Sequence, residues 1–199
     1  VELKFQYNKT SLHAIRKQLK IREDALPTLK NKESALRAEV QKARDKAHEL
    51  DVQIQQRFTE LDKLHRIWSE FDPSLVSIKN VEIESRKIAG VRTPILKQID
   101  YELGEFNMFN APSWYHEGLE ILKSLSQLQI ERLLFLRKMH ILDYVRKKTT
   151  QKVNLYEKAQ IPAFNDAIRK IKRFLEDEET LSKAAQKILK NRMVKEAAS

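Results

Sequence analysis

The sequence predicts an all-α fold: a long antiparallel two-helix left-handed coiled coil, with a short β-hairpin and loop insert at the end distal to the termini. Three observations predict it. Apolar residues recur in alternating steps of three and four through the first seventy positions, the spacing of a coiled-coil seam. The only three glycines, Gly90, Gly104 and Gly118, fall in one central stretch, which leaves a long arm on either side without the residue that most often ends a helix. The chain is 33% charged and 41% apolar, a balance that suits elements burying one narrow stripe rather than a thick core. The expected organisation is a first helical arm over 1–72, a hairpin and loop region over 73–112, and a second helical arm over 113–199.

In the first arm the seam runs through Leu12, Ile15, Leu19, Arg22, Leu26, Leu29, Glu33, Leu36, Val40, Ala43, Ala47, Leu50, Ile54, Arg57, Leu61, Leu64, Trp68 and Phe71. Only Arg22, Glu33 and Arg57 interrupt its apolar character. A helix of that span is on the order of 90 Å long, and its strict 3.5-residue repeat implies left-handed supercoiling about a partner helix. Asp72-Pro73 should end it, because proline disfavours helical geometry in the residue before it.

Between the arms, Val81, Ile83, Ile95, Ile99, Tyr101 and Leu103 form alternating apolar runs on either side of a turn region over Gly90–Pro94, the pattern of a short β-hairpin. The following stretch, Gly104–Pro112, carries Phe106, Met108 and Phe109. It either packs on the hairpin, in keeping with the general burial of aromatic side chains, or faces a partner.

The second arm should start near Pro112-Ser113, with Ser113 as the capping residue and Glu117 beside the positive end of the helix. Its looser stripe passes through Ile121, Leu125, Leu128, Phe135, Met139, Leu142, Val153, Tyr156, Phe164, Ile168, Ile171 and Leu175. A register shift is expected near Glu176–Glu179, before Leu181, Ala185 and Ile188. Pro27 and Pro162 each remove a helix hydrogen bond and should bend or loosen their arms, by plain curvature in preference to a dedicated hinge. With arms of matched length, Pro27 would face the neighbourhood of Phe174 and Pro162 would face Ala38, which staggers the two bends.

Composition and motifs exclude several functions. Without cysteine there is no disulfide, thiolate metal site or cysteine nucleophile. The N-terminal residues lack a signal-peptide layout and no apolar run reaches the roughly 20 residues that span a bilayer, so a cytoplasmic location is expected. No Gly-x-x-x-x-Gly-Lys-Ser/Thr loop is present to cradle a phosphate. Asp45-x-x-His48 and Asp62-x-x-His65 resemble the carboxylate and histidine pairs of di-iron bundles. They stand about 25 Å apart along one helix, whereas a shared two-metal site needs its ions roughly 4 Å apart. They read as ordinary solvent-exposed pairs, and His13, His116 and His140 show no ligand spacing either. The formal charge of +10 is interleaved with acids along both arms, which favours an acidic protein partner about as much as a nucleic acid.

Two stretches carry a family likeness. Asn8-Lys9-Thr10, Leu12, Leu19 and the run from Ala25 through Leu26-Pro27-Thr28-Leu29-Lys30-Asn31-Lys32-Glu33-Ser34-Ala35 to Leu36 resemble the start of the D subunit of the V-type (V/A-type) rotary ATPases. Thr149-Thr150-Gln151-Lys152-Val153-Asn154-Leu155-Tyr156-Glu157, followed by Ile161-Pro162 and Ile168, is similar to that family's second-arm pattern. Leu155-Tyr156-Glu157 stands here where alanine-leucine-glutamate is more usual. The likeness covers essentially the whole chain in layout, while the middle region matches only in kind.

The resemblance implies a non-catalytic rotor shaft without a cofactor, whose paired termini enter a hexamer of A and B subunits. The opposite end would join a small F subunit and the collar above the membrane ring, as part of a complex attached to the membrane. On that reading the basic residues of the tip, Lys9, Arg16, Lys20, Lys183, Lys187, Lys190 and Arg192, are the candidate hexamer contacts. The F subunit would use the outer faces around Asp51–Leu64 and Leu133–Lys148. The alternative is a basic coiled-coil scaffold for nucleic acid or an anionic membrane surface, with Arg146-Lys147-Lys148 and Arg169-Lys170, Lys172-Arg173 as its footprint.

Overall fold

The computed structural model describes residues 4–62, 75–104 and 114–197, with side chains as far as Val194. In order, these form α1 (Lys9–Asp62), β1 (Val76–Ile88), β2 (Val91–Leu103), α2 (Tyr115–Asn154), a π-helical turn (Leu155–Gln160) and α3 (Ile161–Ala197). The chain is therefore mostly helical, with a long C-terminal helix and one two-stranded antiparallel hairpin. It divides into two compact units, Val1–Asn31 with Thr149–Ser199, and Lys32–Lys148.

Helix α1 starts where Asn8 turns its side-chain carbonyl onto the Ser11 N–H at 2.7 Å, satisfying one of the donors a helix start leaves unpaired. It then runs for 54 residues, continuing through Pro27. Its expected seam is the buried face: every seam residue from Leu12 to Ile54 is buried or half-buried. Leu64, Trp68, Phe71 and the Asp72-Pro73 stop lie outside the described residues, as do the Ser113 cap and the aromatic stretch Phe106–Phe109.

In the first unit, Leu12 and Ile15 pack with Phe164, Ala167 and Ile171, flanked by Leu19, Ile168 and Leu175. Partner numbers fall on one helix as they rise on the other. Arg22 meets Gln160 and Lys30 meets Glu157, so the two segments run antiparallel. These pairs correct the expected register. Pro27 stands beside the π turn and Pro162 beside Arg22, so the prolines lie nearly level instead of staggered. Matched arms would close the pairing at the chain ends, whereas the C-terminal segment extends past the point where Tyr7 meets Phe174 at a ring separation of 5.0 Å.

The register offset of the second arm is also displaced from its expected place at Glu176–Glu179. From Tyr156 to Phe164 the buried stripe takes eight residues where two coiled-coil steps take seven, and the π turn absorbs the extra one. Its closing bond runs from the Ile161 N–H to the Tyr156 carbonyl, and Pro162 follows without an N–H to donate.

In the second unit, Leu36 and Val40 of α1 pack with Leu142 of α2 and with Val91 of the hairpin. Arg132 reaches Asp51 at 2.8 Å and Arg146 approaches Glu33 at 3.8 Å, again an antiparallel order. The hairpin is longer than expected, with strands of 13 residues each. Its turn is Ala89-Gly90, both at positive φ (49° and 80°), the type I′ geometry that matches the strands' twist. The expected turn lay over Gly90–Pro94. Pro94 instead sits inside β2 opposite Ser85, tolerated because each strand of a two-stranded sheet has an open edge. Nor is the hairpin confined to the end of the arms. It lies along α2, from the Tyr101 hydroxyl donating to the Lys123 carbonyl at 3.0 Å to Val91 beside Leu142.

Candidate docking surface

Beyond Leu175 the C-terminal helix changes character. Every described residue from Glu176 to Val194 is exposed. The sequence nevertheless stays amphipathic: Leu181, Ala184, Ala185, Ile188, Leu189 and Met193 fall at helical spacing on one side. Leu181 and Met193 are 72% and 71% exposed, and Ile188 and Leu189 exceed half, so this stripe has no cover among the described residues. Leu181, Ala185 and Ile188 were expected to continue the seam. Among the described residues they do not: the last apolar contacts with α1 reach Leu175. Contiguous apolar surface of this kind marks an interaction site.

The seven basic candidates divide around this stripe. Lys183, Lys187 and Lys190 sit on the opposite side of the helix by their spacing, and Arg192 falls within the apolar sector. Lys183 is tied to Glu179 at 2.6 Å. Hydrogen bonding to Lys183, then the charges of Lys183 and Lys9, hold the Glu179 carboxyl below its ordinary range. Lys9 and Glu179 line one shallow groove with Tyr7, Lys172 and Glu176. Two of the seven therefore converge on one acid. Arg16 and Lys20 are exposed on α1, about two and three turns beyond Lys9, and are not part of that cluster. Sequence reasoning missed the apolar stripe as a site; its signal was the amphipathic pattern continuing through Leu181–Met193.

The second unit carries its own exposed apolar residues. Val52 and Phe58 on α1 and Leu133 and Tyr144 on α2 are all more than 40% exposed. Around them some of the charges are paired locally. Arg146 and Lys147 both bind Asp143, and the hydrogen bonds from Lys147 and Arg146 hold its carboxyl below the usual range. Arg169, in the second basic cluster, is likewise paired with Asp166 at 2.9 Å. Such pairing lowers the positive potential a polyanion would meet.

Neither histidine motif forms a metal-binding cluster among the described residues. Asp45 accepts a hydrogen bond from Gln41 on the exposed side of α1, and the side chains of Asp62 and His65 are not described. No described helix is long and apolar enough to cross a membrane.

A family model described as the ATP synthase D subunit matches residues 11–191. The V-type ATP synthase D subunit of Borreliella burgdorferi is 30% identical over 194 residues, covering 96% of each chain. The protein of the same name from Chlamydia muridarum is 29% identical, covering 93% of this chain and 94% of its own. That from Chlamydia pneumoniae is 28% identical over 183 residues, covering 89% and 87%.

Proposed function

Since the chain belongs to the ATP synthase D-subunit family, we propose that it is the central rotor shaft of a V/A-type rotary ATPase. Its two arms form one antiparallel, left-handed coiled coil whose terminal end enters the hexamer of A and B subunits. It is not an enzyme itself and uses no cofactor. It sits on the cytoplasmic side as a peripheral part of a membrane-attached complex, joined at its other end to the F subunit and to the collar of the membrane ring.

The observation that carries this reading is the apolar stripe Leu181–Met193, without cover among the described residues, on a helix whose opposite side carries lysines. Burying it against a ring of subunits supplies the contact energy, and the basic residues Lys9, Arg16, Lys20, Lys183, Lys187, Lys190 and Arg192 guide approach and orientation. The shaft then couples hydrolysis to rotation without a catalytic group. A pair of antiparallel helices has no threefold symmetry, so it presents a different face to each of three A/B pairs and biases their open and closed states by unequal contact energy. Linkage makes the coupling run equally in the direction of synthesis. Val52, Phe58, Leu133 and Tyr144 are the anchors for the F subunit within the faces assigned to it.

Affinity purification of the tagged chain at moderate salt tests this directly. A-type and B-type ATPase subunits should be recovered with a small F-like subunit, at about three, three and one copies per chain. Recovery of nucleic acid or of unrelated proteins alone would replace the shaft reading with the scaffold reading. A Leu181→Asp, Ile188→Asp double variant should lose the hexamer several-fold while keeping the F-like subunit, since removing apolar area from an interface core costs roughly 25 cal/mol per Å² before charge burial is added.

A further inference from the structure

Three features that weaken or grip a helix lie level with one another in the first unit. One is the π turn Leu155–Gln160, whose wider hydrogen-bonded ring is followed at once by Pro162. The second is Pro27 on α1, one turn from Lys30, which binds Glu157 within the π turn at 2.7 Å. Each proline deletes a rung of its helix's hydrogen-bond ladder, and the π turn makes its rungs in poorer geometry. Stiffness in twist and bending comes from that ladder, so both helices are weakest at the same level.

The third feature is Arg22. An apolar residue there would complete the seam. Instead a half-buried guanidinium lies 4.6 Å from the centroid of the Phe164 ring and 5.9 Å from that of Tyr156. It donates Nε–H to the Gln160 side-chain carbonyl at 2.6 Å and a second N–H to the Gln18 carbonyl at 2.9 Å. Tyr156 and Gln160 belong to the π turn and Phe164 follows one helical turn later, so one side chain of the facing helix grips the defect on both sides. Setting a charge in an apolar seam costs desolvation that simple packing would avoid. The planar, forked guanidinium is the group suited to stacking and hydrogen bonding at once.

The geometry points to a torsional yield element. The paired prolines and the π turn are where the shaft takes up twist first, and Arg22 holds that segment in its rest state. This rests on the shaft reading above, under which the chain steps against a load at its far end. A local soft turn lets twist accumulate and release there without peeling the seam above or below it.

Hydrogen exchange on the full chain tests the clasp. Arg22→Met keeps a long side chain in the seam and should speed exchange of the amides of 155–161 on the order of tenfold, the loss of a charge-assisted hydrogen bond and its ring contacts. Amides of 9–20 and 164–175 should be unchanged. Acceleration spread equally over those segments would make Arg22 ordinary packing and overturn the idea. Arg22→Lys should not restore protection, because an ammonium cannot stack and fork in the same place.

In the assembled complex, with the hexamer held fixed, the thermal spread in angle of a probe on the central hairpin reads torsional stiffness. It should broaden in Arg22→Met and narrow in Pro162→Ala, which returns an N–H to the ladder. Equal spreads in all three chains overturn the proposal. A wild-type chain that fails to assemble sinks the shaft reading instead, and does so whatever the exchange measurement shows.

Discussion

At the scale of single residues, burial separates side chains that hold the fold from those left on its surface. Leu36, Leu142 and Ile171 are fully buried. Leu36→Ala should cost about 2–5 kcal/mol in denaturant unfolding of the isolated chain, as truncation of a packed core leucine does. Leu189→Ala, on the uncovered stripe, should stay within about 0.5 kcal/mol in the same measurement. A larger loss at Leu189 would mean that the chain itself covers the stripe. Asp143 gives the pH dependence at this scale. Its carboxyl is held below its ordinary range by Lys147 and Arg146, so the folded chain binds that proton less readily than the unfolded chain. The stabilisation is therefore present at neutral pH and is lost as pH falls below about 4 through the folded-state value. Asp143→Asn should flatten that part of the acid-unfolding curve. The effect is expected to be small, because Asp143 is only partly buried and Lys147 is exposed to solvent.

At the scale of elements, the hairpin turn offers a sharper test. Ala89 sits at positive φ, where an alanine is strained and asparagine is at home. Ala89→Asn should stabilise the second unit by roughly 0.5–1 kcal/mol, seen as slower hydrogen exchange in β1 and β2. Gly90→Ala should do the reverse, since Gly90 has φ 80° and a Cβ there would be strained whatever the space around it. These elements also show which parts of the fold are legible in sequence. The α1 seam is, because a 3.5-residue period is a local pattern; even Arg22 and Glu33 occupy their seam positions and find polar partners there. The eight-residue step from Tyr156 to Phe164 is legible too, yet it reads as a π turn only beside Pro162. Pairing register is different. It depends on how much chain the central region consumes and on where the hairpin lies, and no local period encodes either. A turn that starts at Gly90 is misplaced by one residue, because type I′ geometry puts glycine second.

At the scale of the whole molecule, the docking stripe is hidden in sequence by its likeness to the seam. Leu175 and Leu181 belong to the same kind of apolar pattern, and amphipathicity records only that a face must be covered, not whether the cover comes from the same chain. Only the facing residues distinguish them, and which residues face one another is a long-range fact. From it follows a prediction about the chain as a unit. A chain ending at Leu175 discards a helix end on which no described residue is buried, so it gives up almost none of the apolar burial that drives folding. Its thermal midpoint should lie within a few degrees of the full chain's, since a 1 kcal/mol change moves a chain of this size by only about 2–4 °C. On the proposed shaft reading, recovery of A and B subunits should nonetheless collapse, because the docking face loses its apolar residues while the basic residues Lys9, Arg16 and Lys20 remain, and peripheral charges steer association more than they hold it. If the shortened chain unfolds much earlier, the stripe is part of this chain's own core. If it keeps both its stability and its hexamer, the docking energy lies elsewhere, and the basic residues Lys9, Arg16 and Lys20 become the next ones to remove.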